Sequence, residues 1–133
     1  MARRGRGIAS QGAAVVAAAA FAVACCCIAG CSGVASAATY TVGDGSGWSL
    51  GSASWPNGKQ FHAGDVLVFR YMTWMHNVVA VSEDGYNGCT TPAGSRTYAS
   101  GNDSVTLARG DNRFICTRYG HCYYGMRMVV NAA

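Results

Sequence analysis

Cys116, His121 and Met126 stand at five-residue steps in the segment Cys-Thr-Arg-Tyr-Gly-His-Cys-Tyr-Tyr-Gly-Met, and a second imidazole, His76, lies upstream in Met-His-Asn. A thiolate, two imidazoles and a weak thioether suit one ion that must be acceptable as both Cu(I) and Cu(II), in a trigonal site with an axial sulfur. Structural zinc could use the two histidines and the cysteine, but it gives no reason for Met126 at that spacing. Taken singly, His76 reads as a buried, hydrogen-bonded histidine, Met126 as core and Cys116 as an inert buried thiol. The joint spacing is what points to a metal. Met128 shares strand parity with Met126 but is displaced by two residues and reads as core. His62 has no partner motif and reads as a surface residue, while Trp48 and Trp55 read as packing or turn residues.

The elements that must position these donors are short strands. Thr39 to Val42, Asp65 to Tyr71, His76 to Val81, Ser104 to Leu107, Asn112 to Cys116 and Met126 to Val130 are rich in Val, Tyr, Phe, Ile and Thr. Turn signals separate them, among them Asp84-Gly85, Pro92-Ala93-Gly94 and Arg109-Gly110-Asp111. Short strands at such spacing predict an all-β sandwich or barrel. The stretch from Ser46 to Gly58 has room for one irregular or helical turn. Cys116 ends one strand, Met126 begins the next and His121 lies in the loop between them, so one loop delivers three donors. His76 opens its own strand and is expected to come across from the other sheet. No repeat or heptad pattern is present after the amino-terminal segment.

That segment decides which cysteines are available. Arg3, Arg4 and Arg6 precede an uncharged, Ala-rich stretch from Ala13 to Ala29, and Ala35-Ser36-Ala37 supplies small residues for a peptidase. The pattern is that of a secretory leader, with residues 1–37 removed and Ala38 the near alternative for the cut. A retained anchor is the competitor, since about 17 to 25 apolar residues can span a bilayer. Cleavage takes Cys25, Cys26, Cys27 and Cys31 away and leaves Cys89, Cys116 and Cys122. Two can pair and one cannot, and an unpaired thiol in an oxidising compartment is a liability or a ligand. The remainder, 38–133, is one domain of 96 residues. Its seven basic and six acidic residues leave about +1, with no clustered basic face of the kind a nucleic-acid partner needs.

The domain resembles the phytocyanins, the plant branch of the cupredoxins, and most closely the plantacyanins, also called basic blue proteins. The likeness is carried by Tyr40-Thr41-Val42-Gly43, Gly47-Trp48, Ala63-Gly64-Asp65, Met75-His76-Asn77-Val78, Thr91-Pro92-Ala93-Gly94, Phe114-Ile115-Cys116, Gly120-His121-Cys122 and Gly125-Met126. It covers essentially all of Thr39 to Asn131. The resemblance implies a Greek-key β-sandwich holding one type 1 copper, with His76, Cys116, His121 and Met126 as ligands and Met126 axial. It also implies that Cys89 and Cys122 form a disulfide and that Asn77 braces the ligand loops. Such a bridge closes a loop of about 34 residues, a constraint of roughly 4 kcal/mol in the chain-entropy account. The axial Met126 separates this chain from stellacyanins, which have Gln there, and the full donor set separates it from early nodulin-like relatives that often lack ligands.

Where the chain departs from that pattern, it does so with aromatics. Tyr123 and Tyr124 fill the gap between Cys122 and Gly125, and Trp74 stands two residues before His76. They are expected either to form a docking face for a redox partner near His121 or to shield the metal from water. Two function classes follow: an extracellular electron carrier cycling Cu(I)/Cu(II), or a secreted plant cell-wall signalling or structural protein in which copper redox is incidental. An enzyme is not expected. A multicopper oxidase needs further histidines for a trinuclear cluster, and only His62 remains; no serine has a convincing base and orienting carboxylate. The carboxyl end, Val129-Val130-Asn131-Ala132-Ala133, has neither a Pro/Ser-rich stalk nor a hydrophobic tail, so no lipid anchor is expected. The mature protein is expected to be monomeric, free of a membrane anchor and located in the apoplast or wall. Asn102-Asp103-Ser104 is a glycosylation sequon in an expected turn.

Overall fold

The computed structural model describes residues 36–133. The expected leader therefore lies, but for its last two residues, outside the described residues. Among the described residues no helix is long and apolar enough to cross a membrane. Strands follow in chain order as β1 (Thr39–Thr41), β2 (Val66–Arg70), β3 (Val78–Val81), β4 (Arg96–Tyr98), β5 (Asn102–Thr106), β6 (Gly110–Ile115) and β7 (Arg127–Ala132), with helix α1 (Glu83–Gly88) after β3. They form two sheets, one ordered β1-β2-β5 and the other β4-β3-β6-β7. β1 and β2 run parallel and the remaining pairs antiparallel. The all-β two-sheet sandwich read from the sequence is present.

Period-two alternation assigns the faces. Phe114, Cys116, Met126, Met128 and Val130 share the core between the sheets with Leu67 and Phe69 from β2. The Phe69 ring lies 5.2 Å from Trp48 and 5.0 Å from Phe114, so it bridges the two layers. Removing a ring from such a site costs about 3–5 kcal/mol. The opposite face of the second sheet carries a smaller cluster of Val79, Ile115 and Cys122, against which Tyr86 of α1 packs. Met128, as expected, belongs to the core.

Two elements were not anticipated. β4 is an edge strand with mostly exposed residues and no apolar alternation to betray it. α1 occupies the Asp84-Gly85 sequence that reads as a turn: the Ser82 hydroxyl accepts from the Gly85 amide at 3.4 Å and caps the helix, with Glu83 and Asp84 in its first turn. Glycine is required inside this helix because a Cβ at Gly85 would lie 2.8 Å from both the Thr90 carbonyl oxygen and Val81 Cβ. The stretch from Ser46 to Gly58 does hold a helical turn, the 3-10 segment Leu50–Ser54.

Polar clamps tie the layers at their ends. Asp65 is buried, and its carboxylate accepts from the amides of Ala38 (2.9 Å) and His62 (2.8 Å). Those amide donors, the Ala38 amide foremost, hold its carboxyl below the usual carboxylate range. At the other end Tyr71 donates to Asp103 and lies 3.1 Å from the Tyr98 carbonyl, joining the ends of strands from both sheets. Burial first, and the Asp103 carboxylate second, push the Tyr71 phenol up to about 12. Cys89 and Cys122 are bonded, with Cα atoms 5.7 Å apart, and Cys116 is the free cysteine among the described residues.

Candidate metal centre

Sheet register places the donors. β6 and β7 pair Ile115 with Arg127, so the next step sets Cys116 opposite Met126, and the Cys116 amide donates to the Met126 carbonyl at 3.1 Å. Directly opposed residues on one face hold their Cβ atoms about 4.5–5.5 Å apart. Both side chains are fully buried, which puts the thioether beside the thiol. His76 does not come from the other sheet, as the sequence reading expected. β3 pairs with β6 in the same sheet, Val79 opposite Ile115, and local patterns in a sequence carry no information about strand order. The thiol and His76 therefore lie at adjacent strand ends.

Past Ile115 the β3–β6 ladder gives way to side chains. Continued two residues, the register sets Asn77 opposite Thr117. Asn77 Oδ1 accepts from the Thr117 amide at 2.9 Å, and Asn77 Nδ2 donates to Thr117 Oγ1 at 2.8 Å. The carbonyl of Asn77 in turn accepts from the buried Trp48 indole at 2.9 Å. The residues following His76 and Cys116 are thus cross-linked, and through Trp48 they are anchored to the core.

His121 is presented by a tightly wound loop. Its amide donates to the Arg118 carbonyl at 2.9 Å, and its carbonyl accepts from the amides of Tyr124 (3.1 Å) and Met126 (2.9 Å). Tyr119 and Gly120 take left-handed backbone conformations, with φ of 53° and 71°. The disulfide at Cys122 fixes the same loop to the end of α1.

His76 Nδ1, His121 Nδ1 and Cys116 Sγ converge. The two nitrogens are 3.2 Å apart, and the sulfur is 3.9 Å from His76 and 3.6 Å from His121. The centre of a triangle with these sides lies about 2.1 Å from each corner, close to the length of a bond from a first-row metal to imidazole. Three lone-pair donors facing one point, with a fourth sulfur alongside, fit a soft, trigonally coordinated ion better than any hydrogen-bond pattern. Burial, and then the neighbouring His121, push the His76 imidazole below its ordinary value, while a hydrogen bond with the Met75 backbone opposes them. Both influences favour the neutral imidazole, the form a metal requires. His76 is 9% exposed, whereas His121 is half-buried.

Around His121 the surface is aromatic. Trp74 is 65% exposed, Tyr123 75% and Tyr124 79%. Sequence reasoning missed Tyr119, whose ring lies 5.8 Å from His121 and whose hydroxyl donates to the Trp74 carbonyl at 3.2 Å. Its position two residues before His121, matching Trp74 before His76, was the available signal. Thr117 was also missed, and nothing local marks it. His62 is exposed beside Asp65 and takes no part.

Comparison with known proteins agrees with this geometry. The family profile described as a plastocyanin-like domain matches residues 48–126. Chemocyanin of Lilium longiflorum is 54% identical over 100 residues, covering 75% of this chain and 79% of the lily protein. The basic blue protein of Cucumis sativus is 50% identical over 95 residues, 71% of this chain and 99% of that protein. The solved structure of cucumber basic protein, a blue copper protein, superposes with a TM-score of 0.70 at 49% identity, over 72% of this chain and all of that one. The donor set and these relatives together support one type 1 copper on a cupredoxin fold.

Proposed function

Since the chain belongs to the phytocyanins, we propose that it is an extracellular carrier of single electrons in which His76, His121 and Cys116 would bind one copper and Met126 would supply a weaker thioether donor. The observation that carries the reading is the convergence of the three donor atoms of His76, Cys116 and His121 within 4.8 Å of one another. Copper bound there supplies a one-electron couple. The protein supplies rigidity: β6 and β7 hold Cys116 against Met126, and Asn77 ties the His76 strand to Thr117, so the donors have little freedom to relax when the charge changes. His121 is the half-buried edge through which an electron can pass, and Tyr119, Tyr123, Tyr124 and Trp74 give that edge an apolar rim. No bond of a substrate is made or broken. The only histidine left in the chain is His62, too few for a trinuclear oxidase cluster. A leader in residues 1–37 and a bridge between Cys89 and Cys122 both favour an oxidising compartment outside the cell.

Adding Cu(II) to the metal-free protein tests the reading. An intense blue thiolate charge-transfer band is expected, bleached and restored by one electron equivalent and absent from Cys116→Ser. A wild-type protein that binds copper without the band overturns the assignment.

A further inference from the structure

Met72 and Met75 stand three residues apart in the turn entering β3, where the Met72 carbonyl accepts from the amides of Met75 (3.0 Å) and His76 (3.1 Å). The turn brings the backbones of the two residues together. Both line a cavity of about 480 Å³ whose wall also includes His76, Asp44 and Arg70. Met72 is 59% exposed, so it contributes little to the core. Thioether sulfur selects Cu(I) over the hard cations that surround a protein. Cys116 is fully buried and His76 nearly so. His76 is at once a wall of this cavity and a neighbour of the Cys116 sulfur at 3.9 Å.

We propose that Met72 and Met75 form an entry site that captures Cu(I) and hands it to the centre past His76, an inference that rests on the copper reading above. The transfer is a ligand exchange. Bonds from the two thioether sulfurs to Cu(I) break as bonds from imidazole nitrogen and the Cys116 thiolate form, the thiol proton passes to water, and the ion stays Cu(I) throughout. Asp44 favours a cation in the cavity and Arg70 opposes it, so the soft donors rather than the charge of the wall carry the selectivity.

The test uses the copper-loaded chain, fully reduced so that all metal is diamagnetic, with carbon-13 in the methionine methyl groups. Further Cu(I), added without oxygen, is expected to move the Met72 and Met75 resonances up to one added equivalent and to leave Met128 unmoved. M72L and M72L/M75L are expected to lose that second equivalent and, starting metal-free, to take up Cu(I) several-fold more slowly while reaching the same final blue absorption on oxidation. Because Met72 is exposed, M72L leaves the fold intact. Unmoved Met72 and Met75 resonances, or unchanged uptake in both variants, overturn the proposal. A wild-type chain that never turns blue overturns the copper reading and the proposal with it, and is told apart by the missing colour.

Discussion

Replacing Asn77 with alanine separates a brace that merely holds two loops from one that positions ligands. The side chain makes two hydrogen bonds to Thr117, at 2.8 and 2.9 Å, in place of the backbone ladder that ends at Val79 and Ile115. At a net ~1 kcal/mol each, their loss costs about 2 kcal/mol. A domain of this size loses roughly 4–8 °C of melting midpoint per kcal/mol, so the metal-free protein is expected to melt about 8–16 °C lower. If Asn77 also orients His76 and Cys116, copper affinity falls by about 10- to 100-fold. The copper-loaded form then loses more than the metal-free form, because ligand stabilisation scales with the logarithm of affinity. Thermal unfolding with and without copper, and competition titration for affinity, read the two effects separately. Thr117→Val removes only the hydroxyl partner and is expected to reproduce about half of the metal-free loss. An Asn77→Ala protein melting within about 2 °C of wild type, with unchanged copper affinity, refutes the reasoning.

Replacing both Cys89 and Cys122 with alanine opens a loop closed across a sequence separation of 33. The unfolding free energy measured in guanidinium is expected to fall by about 3–4 kcal/mol. Asp65 sets an acid-side limit. Its folded pKa is depressed by the amides of Ala38 and His62, so its contribution is present above the ordinary carboxylate value of about 4 and is lost as pH falls through the lower folded value. Melting midpoints followed downward from neutral pH are expected to drop less for Asp65→Asn than for wild type, with the two curves converging in acid.

How far the site was legible depends on whether its parts are local. Cys116, His121 and Met126 fall in one loop, and their five-residue steps, not strand parity, separate Met126 from Met128. His76 was recognisable as a donor, but its sheet was not, because which strands become neighbours is decided by long-range packing. The same limit hid Thr117: its significance is that it faces Asn77, forty residues away, and a threonine has no local signature for that role. α1 was hidden by competing signals. Asp84-Gly85 is a good turn, and only the Ser82 cap and the crowding of Gly85 against Thr90 and Val81 turn it into helix. β4 lacks alternation because it is a solvent-facing edge.

The burial of Cys116 bears on the order in which the chain must oxidise. Residues 36–133 contain three thiols, and an unfolded chain can close any of three bridges among them, only one of which is native. Both wrong ones consume Cys116. Once β6 docks between β3 and β7, that thiol is sealed from solvent, while Cys89 and Cys122 meet on the outer face of the sheet beside Tyr86. Docking of β6 therefore proofreads the pairing: oxidation after it has one outcome, and oxidation before it has three. The native pairing is therefore favoured when the chain stays reduced until the second sheet has formed.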